Sequence, residues 1–445
     1  MLWTSEDIVN ATHGTLVGGR FDSNGLSIDT RSLQKDDLFV AIEGDHVDGH
    51  EYIDQALEKG ASGILVHKDV DVHPLIKADN TLKAMERLGV AARARMKGKV
   101  IGVTGSVGKT TVKEMLATVF GAIGKAHASK GSYNNHWGVP YTLAAMPEDT
   151  NFGVFEMGMN HAGEITPLSQ MVRPDIAIIT TISEVHIEHF NNVHEIADAK
   201  AEIFDGMEKG NPVILNVDDG FFEYLSTKAK EKNLIPYGFG SNMIKTSYLE
   251  NGKQIIEANI LDAPVTYCLQ LHGQHMVVNS LAVLLAVKLA GQDIQKSADA
   301  LASLEPLEGR GKRYHRNDML IIDESYNASP IAMRAALEVL ASVEAKRKIA
   351  VLGDMYELGA ESAQMHAALA DDIERLDIDG VITCGQNVKN LYDALPEEKR
   401  FLHNESHNNI AEQIGDYLSA GDAVLVKGSR GGLEKPRMRY IVDAI

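Results

Sequence analysis

The chain has 445 residues, of which 44% are hydrophobic and 24% are charged, and its formal net charge at pH 7 is −19. This length and composition indicate a soluble globular protein of about three domains, and the negative charge argues against a nucleic-acid partner. Because we find neither an apolar run of membrane length nor a signal peptide after Met1, we expect a cytoplasmic protein without membrane insertion.

Residues 1–82 predict a small α/β domain, because short apolar strands alternate with polar turns. Its most informative segment runs from Ser27 to Gly44 and contains Asp29 and Arg31, which the chemistry alone would make a surface ion pair. A helical pattern covers residues 52–60. A further helix, rich in lysine and arginine, covers residues 82–97 and begins the next domain.

The stretch from Val100 to Lys113 predicts a buried strand, a glycine turn and a helix, which is the arrangement of a phosphate-binding loop. In such a loop Lys109 neutralises the outer phosphates of a nucleotide and Thr110 binds Mg²⁺. The spacing is unusual, since Val103 stands where the general pattern has a glycine. A turn without a nucleotide remains the alternative. The residues assigned to the nucleotide are Thr104, Gly105, Ser106, Val107, Gly108, Lys109, Thr110 and Thr111.

Two polar features follow in the central region. Residues 130–140 form a glycine-bounded polar segment containing Asn134 and Asn135, which is either a ligand-binding or a purely structural loop. Residues 151–157 predict a buried strand that carries Glu156 near its carboxyl end, where open α/β sheets place their ligands. Glu156 is therefore a candidate Mg²⁺ ligand, and a carboxylate that only caps a neighbouring helix is the alternative.

Lys200 lies in a helix predicted over residues 193–207. The residues three and four positions away are all apolar, so we expect Lys200 to face the protein interior with a lowered pKa. A lysine whose stem packs while its ammonium reaches water remains the alternative. The four neighbours are Ile196, Ala197, Ile203 and Phe204.

Over residues 234–271 apolar residues recur at about every second position, which indicates β-strands. Asn251-Gly252 predicts a hairpin between two of these strands. An apolar helix follows from Gly273 to about residue 290. His275 either begins that helix or approaches a ligand. Cys268 and Cys384 are too few for a disulfide framework, and we expect both to be buried.

The region after residue 307 predicts a second, doubly wound parallel sheet. A flexible basic link, Gly309-Arg-Gly311, precedes strands predicted over residues 319–323, 348–354, 380–385 and 423–427, with helices between them. No GxGxxG motif follows the first strand, so we do not expect a dinucleotide site.

The shortened loop Thr-Gly-x-x-Gly-Lys-Thr-Thr resembles that of the Mur ligase family. Further similar segments are Asn-Asn-x-x-Gly-x-Pro from Asn134, Glu-Met-Gly-Met-x-x-x-Gly-Glu-Ile from Glu156 and Gly-x-His-x-x-x-Asn from Gly273. The resemblance implies an α/β protein of three domains. They are a substrate domain over residues 1–82, a central ATP-binding domain over 83–307 and a Rossmann-like domain over 308–445.

The resemblance also implies roles for individual residues of the first two domains. Thr30, where the family has serine, and Arg31 help to hold the uridine diphosphate end of the substrate, and Asn134 and Asn135 lie beside the phosphates and the muramoyl group. His186 is implied as a metal ligand, together with Thr110 and Glu156. Lys200 corresponds to a lysine that can be carbamylated to a carboxylate, so it is placed in the same metal site.

In the last part of the chain the resemblance places His275 and Asn279 near the nucleotide, Asp323 on the ATP ribose and Arg310 on the γ-phosphate. The segment from Asp323 to Pro330 departs from the family motif at Glu324 and Ser329, which puts only the individual contacts in doubt. The residues implied for substrate binding in this region are Tyr326, Asn327, Lys427 and Ser429.

Residues 353–359 and 427–430 are most similar to the family member that joins D-alanyl-D-alanine to UDP-N-acetylmuramoyl-tripeptide, with ATP and Mg²⁺ as cofactors. We therefore expect an ATP-dependent amide ligase with catalytic roles for Lys109, Lys200, His186 and Arg310, and we expect a monomer. Two alternatives stay open. One is a sister ligase with another amino substrate, such as the Mur ligase that adds an amino acid to the UDP-linked muramoyl dipeptide in the preceding step, or a folylpolyglutamate synthetase. The other is a nucleotide-binding regulatory protein without chemistry.

Overall fold

The computed structural model describes residues 1–44, 47–250, 253–431 and 436–445. Helices alternate with mostly parallel strands, which confirms the predicted α/β class. The described residues form two compact units. The first consists of Met1–Thr180, Asp198–Pro236 and Ala282–Asp293, and the second of Thr181–Ala197, Tyr237–Leu281 and Ile294–Ile445. No helix in the described ranges is both long and apolar enough to cross a membrane.

The strands are β1 (Trp3–Thr4), β2 (Thr15–Val17), β3 (Asp22–Ser23), β4 (Gly25–Ser27), β5 (Asp37–Val40), β6 (Gly63–Val66), β7 (Leu75–Lys77), β8 (Lys99–Thr104), β9 (Ala126–Ala128), β10 (Phe152–Glu156), β11 (Ile176–Ile179), β12 (Pro212–Asn216), β13 (Asn233–Tyr237), β14 (Ile244–Glu250), β15 (Lys253–Ile260), β16 (Ala263–Leu269), β17 (Lys312–Arg316), β18 (Met319–Glu324), β19 (Arg347–Gly353), β20 (Gly380–Cys384), β21 (Arg400–Asn404) and β22 (Asp422–Lys427).

The α-helices are α1 (Ser5–Thr12), α2 (Ile53–Glu58), α3 (Thr81–Arg95), α4 (Lys109–Gly121), α5 (Gly138–Ala144), α6 (Ile165–Val172), α7 (Val193–Ala201), α8 (Phe222–Lys228), α9 (Gln274–Leu289), α10 (Ile294–Leu301), α11 (Pro330–Ala341), α12 (Ser362–Ala367), α13 (Leu369–Arg375), α14 (Lys389–Ala394), α15 (His407–Gln413) and α16 (Arg437–Ala444).

The amino-terminal part of the first unit is a five-stranded sheet of order β2-β7-β6-β5-β4 with apolar packing on both faces. Along β5, Leu38 and Val40 join a core with residues of α1 and α3, whereas Phe39 joins a second core with residues of α2. Successive strand residues point to opposite faces, so a strand buried on both sides is apolar throughout its length.

The central sheet of the first unit has the order β13-β12-β11-β8-β10-β9. Strand β8 lies in its interior and pairs in parallel with β10 and β11. Glu156 at the end of β10 lies opposite Val103. The carboxyl ends of parallel strands meet at one edge, so this edge gathers both the loop after β8 and Glu156.

In the second unit, β14, β15 and β16 form an antiparallel sheet, which confirms the strands predicted between residues 234 and 271. Asn251-Gly252 lies outside the described residues, but its neighbours Glu250 and Lys253 pair across the two strands. Cys268 is only partly buried, so its predicted burial is wrong, because the neighbours that alternate toward the core are Val265, Tyr267 and Leu269. Cys384 is buried, as predicted.

The second unit also contains the predicted doubly wound sheet, of order β17-β18-β22-β19-β20-β21. Alternate residues of its inner strands join two cores: Leu352 packs on the side of α11, α13 and α14, and Val351 on the side of α15 and α16. Strands β17 and β21 were not predicted. Both are edge strands with mixed polar sequences, and β17 pairs antiparallel with β18.

Candidate active site

The predicted phosphate loop is a tight turn between β8 and α4. Gly105 and Gly108 have φ angles of 140° and 90°, which strongly favour glycine. Two threonine hydroxyls hold the loop: Thr104 Oγ1 donates to Met157 O at 2.7 Å, and Thr180 Oγ1 donates to Val107 O at 2.6 Å. The amides at the start of α4 therefore face a fixed turn, which suits an anion.

Lys109 is the first residue of α4, and its ammonium folds over the turn. Nζ donates to Gly105 O at 2.7 Å and to Ser106 O at 3.1 Å. Thr110 follows it and is 6% exposed. A cation and a hydroxyl thus lie at the amino end of a helix, where a nucleotide's phosphates would find both charge and hydrogen-bond donors.

Glu156 is 1% exposed, and its two carboxylate oxygens differ. Oε1 accepts a hydrogen bond from Asn134 Nδ2 at 2.7 Å, whereas the buried Oε2 has no hydrogen-bond partner within the described ranges. The loop that carries Asn134 is docked beside it, because Gly158 N donates to Asn134 O at 2.8 Å. A buried anionic oxygen left open in this way is a suitable ligand for a hard cation.

The carboxylate that caps a neighbouring helix is that of Glu202 and not that of Glu156. The sequence patterns did not assign a role to Glu202. Its carboxylate accepts hydrogen bonds from Gly163 N at 2.6 Å, Ile165 N at 2.9 Å and Thr166 N at 3.0 Å, at the start of α6. Its position two residues after Lys200 was the only signal. Glu202 fixes the loop after β10 relative to the segment that carries Lys200.

Lys200 is 1% exposed, as its apolar neighbours predict, and those four neighbours are also buried. The predicted helix is shorter than expected, because α7 ends at Ala201 and Glu202–Gly206 continue as a 3₁₀ helix. Burial above all, and then the charge of Lys109, lower the pKa of Lys200 well below its ordinary value, against the pull of Glu202 and Glu156. The alternative in which its ammonium reaches water is wrong.

The first unit fits Mg²⁺ if Lys200 is modified. No group of three His, Cys, Asp or Glu side chains that could hold a metal ion occurs in the described part of the chain. Thr110 and Glu156 supply oxygen donors but only one negative charge. A buried lysine with a lowered pKa supplies the second carboxylate when it is carbamylated, which makes the donor set oxygen-rich, as Mg²⁺ requires.

His186 belongs to the second unit, where its Nδ1 forms an ion pair with the carboxylate of Glu357. The contact with His186 is the main cause that lowers the pKa of Glu357. Both residues have positive φ angles, 60° and 63°, which non-glycine residues rarely adopt. Strain of this kind is typical of functional loops.

Asp323 is completely buried, and its carboxylate fixes the flexible link. Oδ2 accepts hydrogen bonds from Gly309 N at 2.9 Å and from Arg439 at 2.6 Å, and Oδ1 accepts from Ser325 N at 3.1 Å. Both oxygens are engaged, so in this conformation Asp323 positions the link that carries Arg310. Sequence reasoning missed Arg439, because it lies 116 residues away.

The three carboxy-terminal motifs come together in the second unit. The guanidinium of Arg310 stacks on the Tyr326 ring at 3.9 Å. Lys427 is 3% exposed and donates to Glu324 Oε2 at 3.2 Å and to Asn327 O at 3.1 Å. Ser429 Oγ donates to Ala328 O and accepts from Tyr356 N, which ties residues 427–430 to residues 353–359.

His275 lies in the first turn of α9, so its position at a helix start agrees with both interpretations. Burial lowers its pKa, and Glu324 opposes that shift. Asn279, one turn further along, is 8% exposed.

The implied substrate residues Thr30, Arg31 and Asn135 already have partners. Arg31, 79% exposed, forms the expected ion pair with Asp29 at 2.9 Å. Thr30 is 5% exposed and its hydroxyl donates to Gln55. Asn135 Oδ1 accepts a hydrogen bond from Gly138 N at 3.0 Å, at the start of α5. While Thr30 donates to Gln55, its hydroxyl can contact a substrate only as a hydrogen-bond acceptor.

Comparison with protein families finds three matches in chain order. Residues 22–99 match the model described as Mur ligase family, catalytic domain, residues 103–287 the Mur ligase middle domain, and residues 309–430 the Mur ligase, glutamate ligase domain.

Curated relatives match over nearly the whole chain. UDP-N-acetylmuramoyl-tripeptide–D-alanyl-D-alanine ligases from Rickettsia prowazekii and Bacillus subtilis are each 34% identical to this chain. The match to the Rickettsia protein covers 97% of this chain and 98% of that protein, and the match to the Bacillus protein covers 96% of each. The solved structure of MurF from Acinetobacter baumannii is 26% identical with a TM-score of 0.88 and covers 99% of both chains. That of MurF ligase from Thermotoga maritima in complex with ADP is 25% identical with a TM-score of 0.80, over 95% and 97%.

Proposed function

The chain belongs to the Mur ligase family, and on that premise we propose that it joins D-alanyl-D-alanine to UDP-N-acetylmuramoyl-tripeptide with ATP and Mg²⁺. The products are the UDP-linked pentapeptide of peptidoglycan synthesis, ADP and phosphate. The observation that carries the proposal is the buried pair of Glu156 and Lys200 at the edge that holds the phosphate loop. A protein that only binds a nucleotide needs no buried lysine of this kind.

The first step activates the terminal carboxylate of the tripeptide. A carboxylate oxygen attacks the γ-phosphorus of ATP, the bond from that phosphorus to the bridging oxygen breaks, and ADP leaves with the electron pair. The product is an acyl phosphate. Such a transfer depends on positioning and charge neutralisation more than on covalent help.

Residues of this chain supply that neutralisation. Lys109 turns from the loop carbonyls to the β and γ phosphates, and Arg310 binds the γ-phosphate. Thr110, Glu156, His186 and a carbamylated Lys200 would hold Mg²⁺, and Asn134 orients Glu156 through its side-chain amide. When bound, Mg²⁺ offsets the charge on the phosphate oxygens.

The second step forms the amide. The neutral amino group of D-alanyl-D-alanine attacks the acyl carbon, and the bond between that carbon and the phosphate oxygen breaks. Phosphate leaves with one oxygen of the original carboxylate, and the amine proton is released. Substrate contacts in this step are assigned to Tyr326, Asn327, Lys427 and Ser429. Those of the UDP end are assigned to Thr30 and Arg31, and those beside the phosphates and the muramoyl group to Asn134 and Asn135.

We assign the UDP end of the substrate to residues 1–82, ATP to residues 83–307 and the dipeptide to residues 308–445. His275, Asn279 and Asp323 are assigned to the nucleotide side of the site. The three matched regions and their order support this division. We further propose that the enzyme acts in the cytoplasm, where its nucleotide-linked substrate and ATP are available. We also propose that it acts as a monomer.

Mass spectrometry of the reaction products tests this function. With ATP, Mg²⁺, UDP-N-acetylmuramoyl-tripeptide and D-alanyl-D-alanine, we expect the UDP-linked pentapeptide, and phosphate release that depends on the dipeptide. Parallel reactions with single amino acids in place of the dipeptide test the sister ligases. Product with a single amino acid but none with the dipeptide would assign the chain to a sister activity, and phosphate release with no acceptor would leave only an ATPase.

A further inference from the structure

Lys113 is a buried cation with no part in the reaction described above. It lies one turn after Lys109 in α4, and its side chain is 1% exposed. Its ammonium donates three hydrogen bonds, to Ser129 O at 2.8 Å, to Gly131 O at 3.0 Å and to the carboxylate of Glu114 at 2.5 Å. Each proton of the ammonium thus has an acceptor.

A buried lysine at this position carries a large desolvation cost. Removing an ammonium from water costs several kcal/mol, and an apolar residue of similar volume is often at least as stabilising as a buried ion pair. Two of the three acceptors of Lys113 are backbone carbonyls of another segment. The bonds therefore fix that segment to the phosphate helix, which an apolar side chain would not do.

The fixed segment leads directly to the carboxylate of the metal site. The two carbonyls flank Lys130, at the start of the loop that ends at α5. Within this loop Asn134 N donates to Ser132 O at 2.8 Å, and the Asn134 side chain donates to Glu156. Hydrogen bonds and the short stretch of backbone between Gly131 and Asn134 therefore connect α4 through the loop to Glu156.

We propose that Lys113 is a positioning residue of the ligase: it clamps residues 129–131 to the phosphate helix so that Asn134 reaches Glu156. This proposal rests on the proposed function for its catalytic meaning, but the clamp itself needs no ligand. It predicts two separable effects. Loss of the ammonium loosens the loop, and the misplaced Glu156 then binds Mg²⁺ less well.

The chain offers its own reporter, because Trp137 is the last loop residue before α5 and the only other tryptophan is Trp3. All variants are therefore made in a Trp3→Phe background. Lys113→Met removes the ammonium at similar length, and Lys125→Met makes the same change at a surface lysine that is 67% exposed. Quenching of Trp137 fluorescence by acrylamide, without nucleotide or metal, reports the loop.

In Lys113→Met we expect stronger quenching and a rise of about tenfold or more in the Mg²⁺ concentration for half-maximal activity. Lys125→Met should change neither. A Lys113→Met protein that is less stable but keeps the parent's quenching and Mg²⁺ requirement would overturn the proposal. If Lys113→Met does not fold, Lys113→Gln, which keeps donors for the two carbonyls but no charge, should show both effects in weaker form, and unchanged values there would also overturn it.

A double-mutant cycle with Asn134→Ala tests whether Lys113 acts through the loop. If it does, the two substitutions raise the Mg²⁺ requirement by less together than the product of their separate effects. Multiplicative effects would contradict the pathway through Asn134. Because the quenching measurement needs no ligand, it remains decisive even if the proposed reaction is not observed.

Discussion

Replacing Lys109 with alanine should abolish turnover. Its ammonium is the cation of the phosphate loop, held over the turn by the carbonyls of Gly105 and Ser106. Loss of a charge-assisted phosphate contact costs several kcal/mol in the transition state, on the order of 10² or more in rate. The measurement is phosphate release at saturating ATP, tripeptide and dipeptide.

The matched control is Lys83→Ala, at a lysine that is 61% exposed and pairs with Glu86 on the surface of α3. We expect it to keep the parent's activity, since an exposed pair contributes little. Thermal unfolding of both variants separates lost chemistry from lost structure. Phosphate release by Lys109→Ala at a rate near that of the parent would remove the phosphate-loop assignment.

The second large effect is expected at Lys200. Its pKa is lowered, so the neutral amine is available to add CO₂: the nitrogen forms a bond to carbon, one oxygen takes the electron pair and a proton is released. The resulting carbamate is a carboxylate that can bind Mg²⁺. Lys200→Ala should therefore be nearly inactive and regain part of its activity when short carboxylates such as formate or acetate are added.

Two further variants separate carbamylation from charge and packing. Lys200→Arg keeps a positive charge and similar length but cannot form the carbamate, and it should stay inactive with or without carboxylates. Lys200→Met should be at least as stable as the parent, because it removes a buried amine from apolar surroundings, yet it should also be inactive. Full activity of Lys200→Arg would leave Lys200 only a structural role.

Local sequence signals located the phosphate loop, Glu156 and Lys200. A strand followed by two glycines and a helix start leaves few alternatives for residues 100–113, and β8 and α4 confirm them. Four apolar neighbours at helical spacing were enough to predict the burial of Lys200. In each case the determining residues lie within a few positions of one another, so periodicity carries the information.

Contacts between distant segments could not be predicted in the same way. The hydrogen bond from Arg439 to Asp323 joins residues in different elements, and no periodicity links them. Two of the four residues at helical spacing from Lys113, Lys109 and Thr110, are polar, so periodicity does not predict its burial. Two of its partners are backbone carbonyls, which any sequence provides. Strand β17 is polar, because an edge strand needs little apolar surface, and its sequence therefore resembles that of a loop.

The most direct test of the account follows the oxygen atoms. UDP-N-acetylmuramoyl-tripeptide labelled with oxygen-18 in its terminal carboxylate is incubated with the protein, ATP, Mg²⁺ and D-alanyl-D-alanine, and the released phosphate is analysed by mass spectrometry. An acyl phosphate transfers one labelled oxygen to phosphate for each amide bond formed. We therefore expect one labelled phosphate for each molecule of UDP-linked pentapeptide. Pentapeptide accompanied only by unlabelled phosphate would contradict it.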